Sequence, residues 1–253
     1  MLKSLLTILL PLTLLACSGG AEENNIQAAA PQDRITPALQ QLAQRAEPGT
    51  LGVAILDLQS GQSWGVNADK PMPMQSVFKL PLGIFVFHKA AEGALSLDDK
   101  VTLTEADLLP IYSPVADAFD ERKDYTIEEL VEVTVSQSDN VAADFLMKRV
   151  GGPEALTAFF QERGFEDFRV DRDEAELQPQ STGLPPITAG MTAQDYAGLR
   201  KTVPIEKQKA AMTVYLADPR DRMRAATAVR VLAALDAGKL LTPGLAAKMM
   251  AFL

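Results

Sequence analysis

Strand-forming patterns are concentrated in one short part of this 253-residue chain, and helical patterns fill most of the rest. Residues 50–58 are rich in β-formers, residues 60–62 (Ser-Gly-Gln) suit a turn, and residues 63–67 read as a return strand, which predicts a β-hairpin. Apolar residues at helical spacing predict helices elsewhere, at 35–46, 76–91, 97–108, 126–135, 141–150 and 153–163. We find no internal repeat. One hairpin among many helices is an unusual set of elements for a folded chain.

Composition bounds the possible functions. The chain is 47% hydrophobic and 23% charged, which is typical of a folded protein with one large domain or two interleaved small ones. With 24 Lys and Arg against 33 Asp and Glu, the net charge of −9 argues against a nucleic-acid partner. A single Cys and a single His exclude an internal disulfide, a Cys–His dyad and the usual zinc site, so we expect no metal and no cofactor.

The first 17 residues have the pattern of an export signal. Lys3 precedes an apolar run over residues 5–15 that is too short to span a bilayer as a stable helix. Leu14-Leu15-Ala16-Cys17 resembles the lipobox of bacterial lipoproteins, in which the Cys is acylated and becomes the new N-terminus. The alternative is an ordinary signal peptide with a chance Cys. Residues 18–33 are small, polar and aperiodic, which predicts a flexible tether.

The first motif with chemical content is Ser76-Val77-Phe78-Lys79, at the predicted start of helix 76–91. A spacing of three places the amine beside the hydroxyl on one helix face. A helix N-terminus also favours developing negative charge, so the pair can activate Ser76 as a nucleophile. The structural alternative is an N-cap serine followed by a solvated lysine.

Two further motifs are weak when taken alone. Ser138-Asp139-Asn140 follows a helix that begins near a capping box at 126–129, and in a tight turn Ser138 and Asn140 can face one cleft. Glu174 and Gln178, four residues apart, can hold one water between a carboxylate base and an amide. The alternatives are a helix-connecting turn and an acidic surface turn.

Taken together, the three motifs resemble the class A serine β-lactamases. The Ser-Asp-Asn motif begins 62 residues after Ser76, and Glu174 follows 36 residues later. Flanking segments resemble the same family, and the similarity covers most of residues 50–253; these segments are Met72-Pro73-Met74-Gln75, Tyr112-Ser113-Pro114, and Gly151-Gly152-Pro153. The resemblance implies an α+β fold of the serine β-lactamase and D,D-peptidase type, with a helical domain and an α/β domain. It also implies hydrolysis of the β-lactam ring.

The resemblance implies a role for each catalytic residue. Ser76 attacks the lactam carbonyl and is acylated, and its backbone N–H forms half of the oxyanion hole. Lys79 and Glu174 share the base role in acylation, a division that is disputed. Glu174 then activates the water that deacylates the enzyme, and Ser138 passes a proton to the leaving lactam nitrogen.

Three more residues are implied to face the substrate. Asn140 holds its side-chain amide, and Tyr112 walls the site. Gln178 stands where the family more commonly has Asn, so we expect its extra methylene to shift the deacylating water and alter deacylation.

The resemblance also implies that Arg172 pairs with an Asp that closes an Ω-loop below the site, and Asp221 is the best candidate. A separation of 49 residues exceeds the roughly 16 of a compact Ω-loop. Helical patterns at 192–203 and 205–216 therefore predict a small helical insertion within an Ω-loop of residues 172–221. It either reshapes the entrance to the site or widens the range of substrates, or it is a surface elaboration without kinetic effect.

Thr242-Pro243 begins a last predicted helix, whose apolar face includes Leu245, Met249 and Phe252. The family continues beyond this helix with three strands and a further helix, the first strand carrying Lys-Thr-Gly or Lys-Ser-Gly. Neither tripeptide occurs in the 253 residues. We therefore expect a C-terminally truncated protein with an incomplete antiparallel sheet, which folds poorly and hydrolyses little. The predicted organisation is a partial α/β domain (34–75 and 222–253) around a helical domain (76–221).

Two other functions stay open at this stage. A penicillin-binding D,D-peptidase shares Ser-x-x-Lys and Ser-x-Asn but stalls as the acyl-enzyme. The 171–178 segment, at the spacing of the β-lactamases, argues against a D,D-peptidase. An inactive lipoprotein on the same fold is the other. We expect a monomer, exported to the periplasm, whose partner is a small β-lactam and whose only membrane contact is a lipid anchor at Cys17.

Overall fold

Short antiparallel strand pairs alternate with helices along the part of the chain that the computed structural model describes, residues 33–188 and 190–253. The α-helices are α1 (Ile35–Arg45), α2 (Lys79–Ala91), α3 (Pro114–Asp117), α4 (Ile127–Ser136), α5 (Asn140–Arg149), α6 (Gly152–Gln161), α7 (Glu174–Thr182), α8 (Ala193–Thr202), α9 (Ile205–Ala217), α10 (Ala225–Asp236) and α11 (Pro243–Met250). The strands are β1 (Val53–Leu56), β2 (Ser63–Val66), β3 (Pro71–Pro73), β4 (Lys100–Thr102), β5 (Asp124–Thr126) and β6 (Arg222–Arg224). Helices and antiparallel strands together confirm the α+β class.

The predicted hairpin is confirmed. β1 and β2 pair antiparallel, from Val53 opposite Val66 to Leu56 opposite Ser63. Its turn includes Gly61, whose φ of 73° suits a residue without a Cβ. Helix α1 contacts β2 and helix α10 contacts β1. These contacts supply the packing that an isolated two-stranded hairpin lacks in water.

The predicted helix at 97–108 is wrong, as is the expectation that no strands follow the hairpin. β4 pairs with β5 there, and a 3-10 turn at Glu105–Asp107 follows. Thr104 and Asp107 form a capping box that supports only this short turn. A further pair joins β3 to β6, with Met72 opposite Met223. Each of these strands has three residues, too few to show alternation in a sequence.

Helix α2 lies at the centre of the core. Its apolar side chains include five that are no more than 3% exposed: Leu82, Ile84, Phe85, Val86 and Phe87. It contacts α4, α5, α6 and α11, and the Phe85 and Phe159 ring centroids lie 4.8 Å apart. A helix that is apolar on all sides must be enclosed by others, so α2 holds the residues at its N-terminus rigidly.

Residues 34–253 form one compact unit, and the division into helical and α/β domains stays a prediction. No helix within the described ranges is long and apolar enough to cross a membrane. The predicted signal segment at 1–17, with Cys17, and residues 18–32 of the predicted tether lie outside the described residues.

Helix α4, which leads to the Ser138 turn, begins with a complete capping box. The Glu129 N–H donates to the Thr126 hydroxyl at 3.1 Å, and the Thr126 N–H donates to the Glu129 carboxylate at 2.8 Å. We expect Thr126→Ala to lower the free energy of unfolding by about 1 kcal/mol, because one helix N–H loses its acceptor. Urea unfolding measures this. Ser136→Ala, exposed at the other end of α4, should change it by less than about 0.5 kcal/mol; equal effects would contradict the capping argument.

Candidate active site

Ser76 does not begin an α-helix as predicted. It lies in a 3-10 turn, Gln75–Phe78, that leads directly into α2. Gln75 immediately before it has a φ of 47°, in the left-handed region that few non-glycine residues occupy. The left-handed residue and the tighter turn leave Ser76 exposed, while Phe78 and Lys79 are buried. The hydroxyl is therefore accessible from solvent.

Lys79 is the centre of the candidate site. Its side chain is buried, and its Nζ lies 3.3 Å from Ser76 Oγ, 2.8 Å from the Ser138 carbonyl oxygen and 3.2 Å from Ser138 Oγ. Nζ also donates to Asn140 Oδ1 and lies 3.3 Å from Glu174 Oε1. Four of the residues predicted from separate motifs thus meet at one amine.

Two opposing influences act on the charge of Lys79. Burial lowers the pKa of its ammonium below the ordinary value, and attraction to the Glu174 carboxylate opposes that shift, with smaller help from Asp139 and Asp144. Because burial outweighs the carboxylates, the neutral amine is more accessible here than on an exposed lysine. A neutral Lys79 can accept a proton from the Ser76 hydroxyl 3.3 Å away.

The Ser138 motif lies in the connection between α4 and α5 rather than within a helix. Ser138 has a φ of 56°, and Asp139 caps α5 by accepting from the Ala142 N–H at 2.8 Å. The left-handed residue turns the chain so that Ser138 and Asn140 both contact Lys79. The sequence predicted this common orientation from the residue types alone.

Tyr112 stands beside this group. Its carbonyl oxygen accepts from Asn140 Nδ2 at 2.9 Å, and its side chain is 63% exposed. The neighbouring Ser113 hydroxyl donates to the buried Asp139 carboxylate at 2.8 Å. Two hydrogen bonds, one at the Tyr112 carbonyl and one from the Ser113 hydroxyl, therefore join this segment to the Ser138 turn.

Glu174 is the first residue of α7 and is buried. Gln178, one turn later, donates from Nε2 to Glu174 Oε2 at 3.0 Å. The water predicted to lie between these two side chains stays a prediction, and the side chains also contact each other directly. Gln178 orients the carboxylate whose other oxygen faces Lys79.

Asp144 is a residue that the sequence analysis missed. It lies on α5, is buried, and accepts from the Glu174 N–H at 2.8 Å and from the Ala175 N–H at 3.0 Å. These bonds fix the backbone of Glu174 and Ala175 to the neighbouring helix. Burial, reinforced by the charge of Asp173, raises the pKa of Asp144 to about 7. An acidic residue within the apolar pattern of residues 141–147 was the feature of the sequence that could have indicated this role of Asp144.

The raised pKa of Asp144 predicts how the free energy of unfolding depends on pH. Between about pH 4, where the carboxyl ionises in the unfolded chain, and about pH 7, the folded state holds a proton that the unfolded state has lost. Asp144 therefore makes stability fall as pH rises, by at most about 1.4 kcal/mol per pH unit. We expect Asp144→Asn to remove this contribution in urea unfolding at pH 4.5, 5.5 and 6.5. The exposed Asp98→Asn should keep the wild-type slope, and an unchanged slope in Asp144→Asn would contradict the prediction.

Arg172 and Asp221 lie in contact across the neck of the 172–221 segment. Arg172 Nε is 2.5 Å from Asp221 Oδ2, and both residues are only 3% exposed. Asp221 Oδ1 also accepts from the Arg172 N–H at 3.1 Å and from the Asp171 N–H at 2.7 Å. Within the segment, α8 and α9 form where two helical patterns predicted them.

The Arg172 guanidinium has further partners that the sequence analysis did not name. Its Nη1 lies 2.6 Å from Gln180 Oε1 and 3.3 Å from Asp218 Oδ2. The side-chain hydrogen bond from Arg220 holds the pKa of Asp218 below its usual range. The neck is therefore a network, and Asp218 stays ionised as a second counter-charge for Arg172.

No group of three or more His, Cys, Asp and Glu side chains in residues 33–188 and 190–253 is arranged to hold a metal ion. The chemistry available at Ser76 is that of a hydroxyl nucleophile, a buried amine and a buried carboxylate. This combination suits acyl transfer with general acid–base assistance.

Comparison with known proteins agrees with this chemistry. A model described as the beta-lactamase enzyme family matches residues 34–253. Beta-lactamase L2 of Stenotrophomonas maltophilia is 36% identical over 211 residues, 83% of this chain and 67% of that protein. Beta-lactamase VEB-1 of Pseudomonas aeruginosa is 34% identical over 134 residues, 53% of this chain and 45% of that protein. The chain thus covers between about half and two thirds of these relatives.

Solved structures give the same result. The ancestral class A beta-lactamase reconstructed as the last common ancestor of Gram-negative bacteria superposes with a TM-score of 0.66 at 31% identity. The match covers 86% of this chain and 70% of that one. A beta-lactamase from Xanthomonas campestris gives a TM-score of 0.65 at 25% identity. The predicted fold of the serine β-lactamase type is confirmed by these neighbours.

Proposed function

Because this chain belongs to the beta-lactamase enzyme family, we propose that it hydrolyses the β-lactam ring of penicillin- and cephalosporin-type antibiotics through an acyl-enzyme on Ser76. One observation carries the proposal: the buried Lys79 Nζ lies 3.3 Å from both the Ser76 hydroxyl and the Glu174 carboxylate. The Lys79 amine, one candidate base, thus contacts both the nucleophile and the other candidate base, Glu174.

The acylation step starts at the Ser76 hydroxyl. Its proton passes to neutral Lys79, or through a water to Glu174, as its oxygen attacks the lactam carbonyl. The C–N bond of the ring breaks and the nitrogen takes a proton. Ser138 is the donor we propose, because its hydroxyl lies 3.2 Å from Lys79 Nζ and can be reprotonated from there. The Ser76 N–H would stabilise the oxyanion.

Deacylation uses Glu174. Its carboxylate accepts a proton from water, whose oxygen bonds to the ester carbonyl. The bond from that carbon to Ser76 Oγ then breaks, and Oγ takes the proton back, which restores the hydroxyl and Glu174. The Gln178 amide holds one carboxylate oxygen at 3.0 Å, and Asp144 fixes the backbone of Glu174. We propose that the longer glutamine changes the deacylation rate relative to enzymes with asparagine there.

Two groups would receive the substrate. The Asn140 side chain, held between Lys79 and the Tyr112 carbonyl, is placed to bind the amide of the substrate side chain. The exposed Tyr112 ring would form one wall of the cleft. The Arg172–Asp221 contact would close the Ω-loop that carries Glu174.

We also propose export to the periplasm as a monomer, with a lipid anchor at Cys17. The support is the apolar run at residues 5–15 followed by Leu14-Leu15-Ala16-Cys17. Membrane fractionation tests the anchor: Cys17→Ser should release the exported protein from the membrane fraction, and unchanged membrane association would contradict it.

Hydrolysis of nitrocefin tests the function. We would measure it on the 253-residue chain and on the product of the same reading frame with any downstream codons included. Mass spectrometry after brief exposure to a penicillin should find the adduct on Ser76, and Ser76→Ala should have neither adduct nor turnover. Folded protein without turnover in either form would overturn the proposal. A lasting adduct would then favour a penicillin-binding D,D-peptidase.

A further inference from the structure

The helical insertion reaches the residue that precedes the nucleophile. Tyr215 lies on α9, near the end of the inserted segment, and its hydroxyl accepts a hydrogen bond from Gln75 Nε2 at 2.7 Å. The two residues are 140 positions apart in the chain. Gln75 is bonded directly to Ser76, so this contact joins the insertion to the reacting residue.

The backbone conformation of Gln75 needs a contact that stabilises it. Its φ of 47° lies in the left-handed region, where a residue with a Cβ is strained. The same residue starts the 3-10 turn that exposes Ser76. A change at Gln75 toward an ordinary conformation would rotate the Ser76 N–H and Oγ relative to Lys79. The hydrogen bond to Tyr215 opposes that change.

Tyr215 is well placed to act as a fixed support. Its side chain is 4% exposed, and its ring lies 5.8 Å from the Arg172 guanidinium carbon. Helix α9 packs along α7, which carries Glu174. Burial raises the pKa of Tyr215 above its ordinary value, and the Asp221 charge adds to this, so the phenol stays protonated. Its oxygen remains available to the Gln75 amide.

A second hydrogen bond holds Met74, the residue before Gln75. The Met74 N–H donates to the Asp221 carbonyl at 2.9 Å, next to the paired strands β3 and β6. Met74 is thus held through the backbone, whereas Gln75 is held through its side chain. Removing the Tyr215 hydroxyl therefore tests the second support and leaves the first in place.

We propose that Tyr215 is a positioning residue for Ser76, so that the helical insertion maintains the acylation geometry. This inference rests on the proposed function, since it assigns Ser76 the role of the nucleophile. It disagrees with one interpretation of the insertion, a surface elaboration without kinetic effect, because it gives the segment a contact that acts on the nucleophile.

The test compares two buried tyrosines of the insertion. Tyr196 on α8 is 7% exposed, and its hydroxyl makes no hydrogen bond of ordinary geometry within the described residues. We expect Tyr215→Phe to lower the acylation rate constant about 10-fold, because small displacements of a reacting group are costly. Tyr196→Phe should leave it unchanged. Stopped-flow hydrolysis of nitrocefin separates acylation from deacylation.

A double-mutant cycle excludes a general loss of packing. Gln75→Met removes the amide and keeps the chain length, so in the Tyr215→Phe background it should cause little further loss of acylation rate. Additive losses, or equal losses in Tyr215→Phe and Tyr196→Phe, would overturn the proposal.

A reactive phosphonate ester keeps this test separate from hydrolysis. It labels an activated serine without a β-lactam, so its rate reports on Ser76 alone. If the wild type is labelled at Ser76 but does not hydrolyse nitrocefin, the proposed function fails while the labelling rates still test Tyr215. A slower label in Tyr215→Phe only would support the inference, and no label on the wild type would overturn it.

Discussion

Replacing Glu174 with glutamine is expected to leave a long-lived acyl-enzyme on Ser76 and to lower kcat by about 10³-fold, within the range for loss of a general base. The carboxylate is buried, is oriented by Gln178, and has its backbone fixed by Asp144. Glutamine occupies nearly the same volume but cannot take the proton of the attacking water. Deacylation therefore becomes the slow step.

The same replacement should spare acylation in part. Attraction to Glu174 keeps the pKa of Lys79 higher than burial alone would leave it. Without that charge the Lys79 amine becomes neutral more readily, and a neutral amine can still accept the Ser76 proton at 3.3 Å. Acylation continues while deacylation becomes slow, so the adduct accumulates.

Mass spectrometry of the protein mixed with a penicillin checks this, together with nitrocefin kcat. The matched control is Glu176→Gln, two residues further along α7, where the side chain is exposed. It should retain the wild-type rate and show no more adduct than the wild type. If Glu174→Gln turned over at the wild-type rate, the base would have to be another group, and Lys79 would be the remaining candidate.

Much of this site was predictable because short motifs encode local geometry. Ser76 and Lys79 are three residues apart, so any helical turn places them together. Ser138, Asp139 and Asn140 are turn and cap residues, and they form a left-handed turn followed by an N-cap. These features depend on a few neighbouring residues.

The elements that were missed or wrong depend on distant partners. β3 contains Pro71 and Pro73, which argue against a strand, and it forms because β6 pairs with it about 150 residues later. The Gln75–Tyr215 contact spans 140 residues. Asp144 looked like one more residue of helix α5, and only the packing of α7 against it gives its carboxylate two N–H groups to accept. Periodicity does not contain this information.

Replacing Arg172 with alanine is expected to lower the free energy of unfolding by about 3–5 kcal/mol, the usual cost of removing one partner of a buried ion pair. Arg172 contacts Asp221 at 2.5 Å and Asp218 at 3.3 Å from a position that is 3% exposed. Without the guanidinium, the buried Asp221 carboxylate loses its ion-pair partner, whereas Asp218 keeps its ion pair with Arg220. The poorly hydrated charge left at Asp221 produces the loss.

Breaking the Arg172–Asp221 ion pair is expected to lower the free energy of unfolding, although one nitrogen of Arg172 lacks a hydrogen-bond partner. Arg172 Nη2 is buried without a hydrogen-bond partner in the described part of the chain, which already reduces what the intact network contributes. Arg172→Ala removes that unsatisfied donor as well, so we expect a loss nearer 3 than 5 kcal/mol. Arg172→Lys should lie between alanine and wild type, because an ammonium can reach one carboxylate but cannot reproduce the fork.

Urea unfolding at neutral pH measures these losses. Arg169→Ala is the matched control: Arg169 is three residues earlier, pairs with Asp171 at 2.5 Å, and is about half exposed. An exposed pair contributes at most about 1 kcal/mol, so this variant should stay close to wild type. Similar losses in Arg169→Ala and Arg172→Ala would mean that burial does not distinguish the two pairs. In that case the neck of the 172–221 segment would depend on its backbone bonds from Asp171 and Arg172 to Asp221 instead.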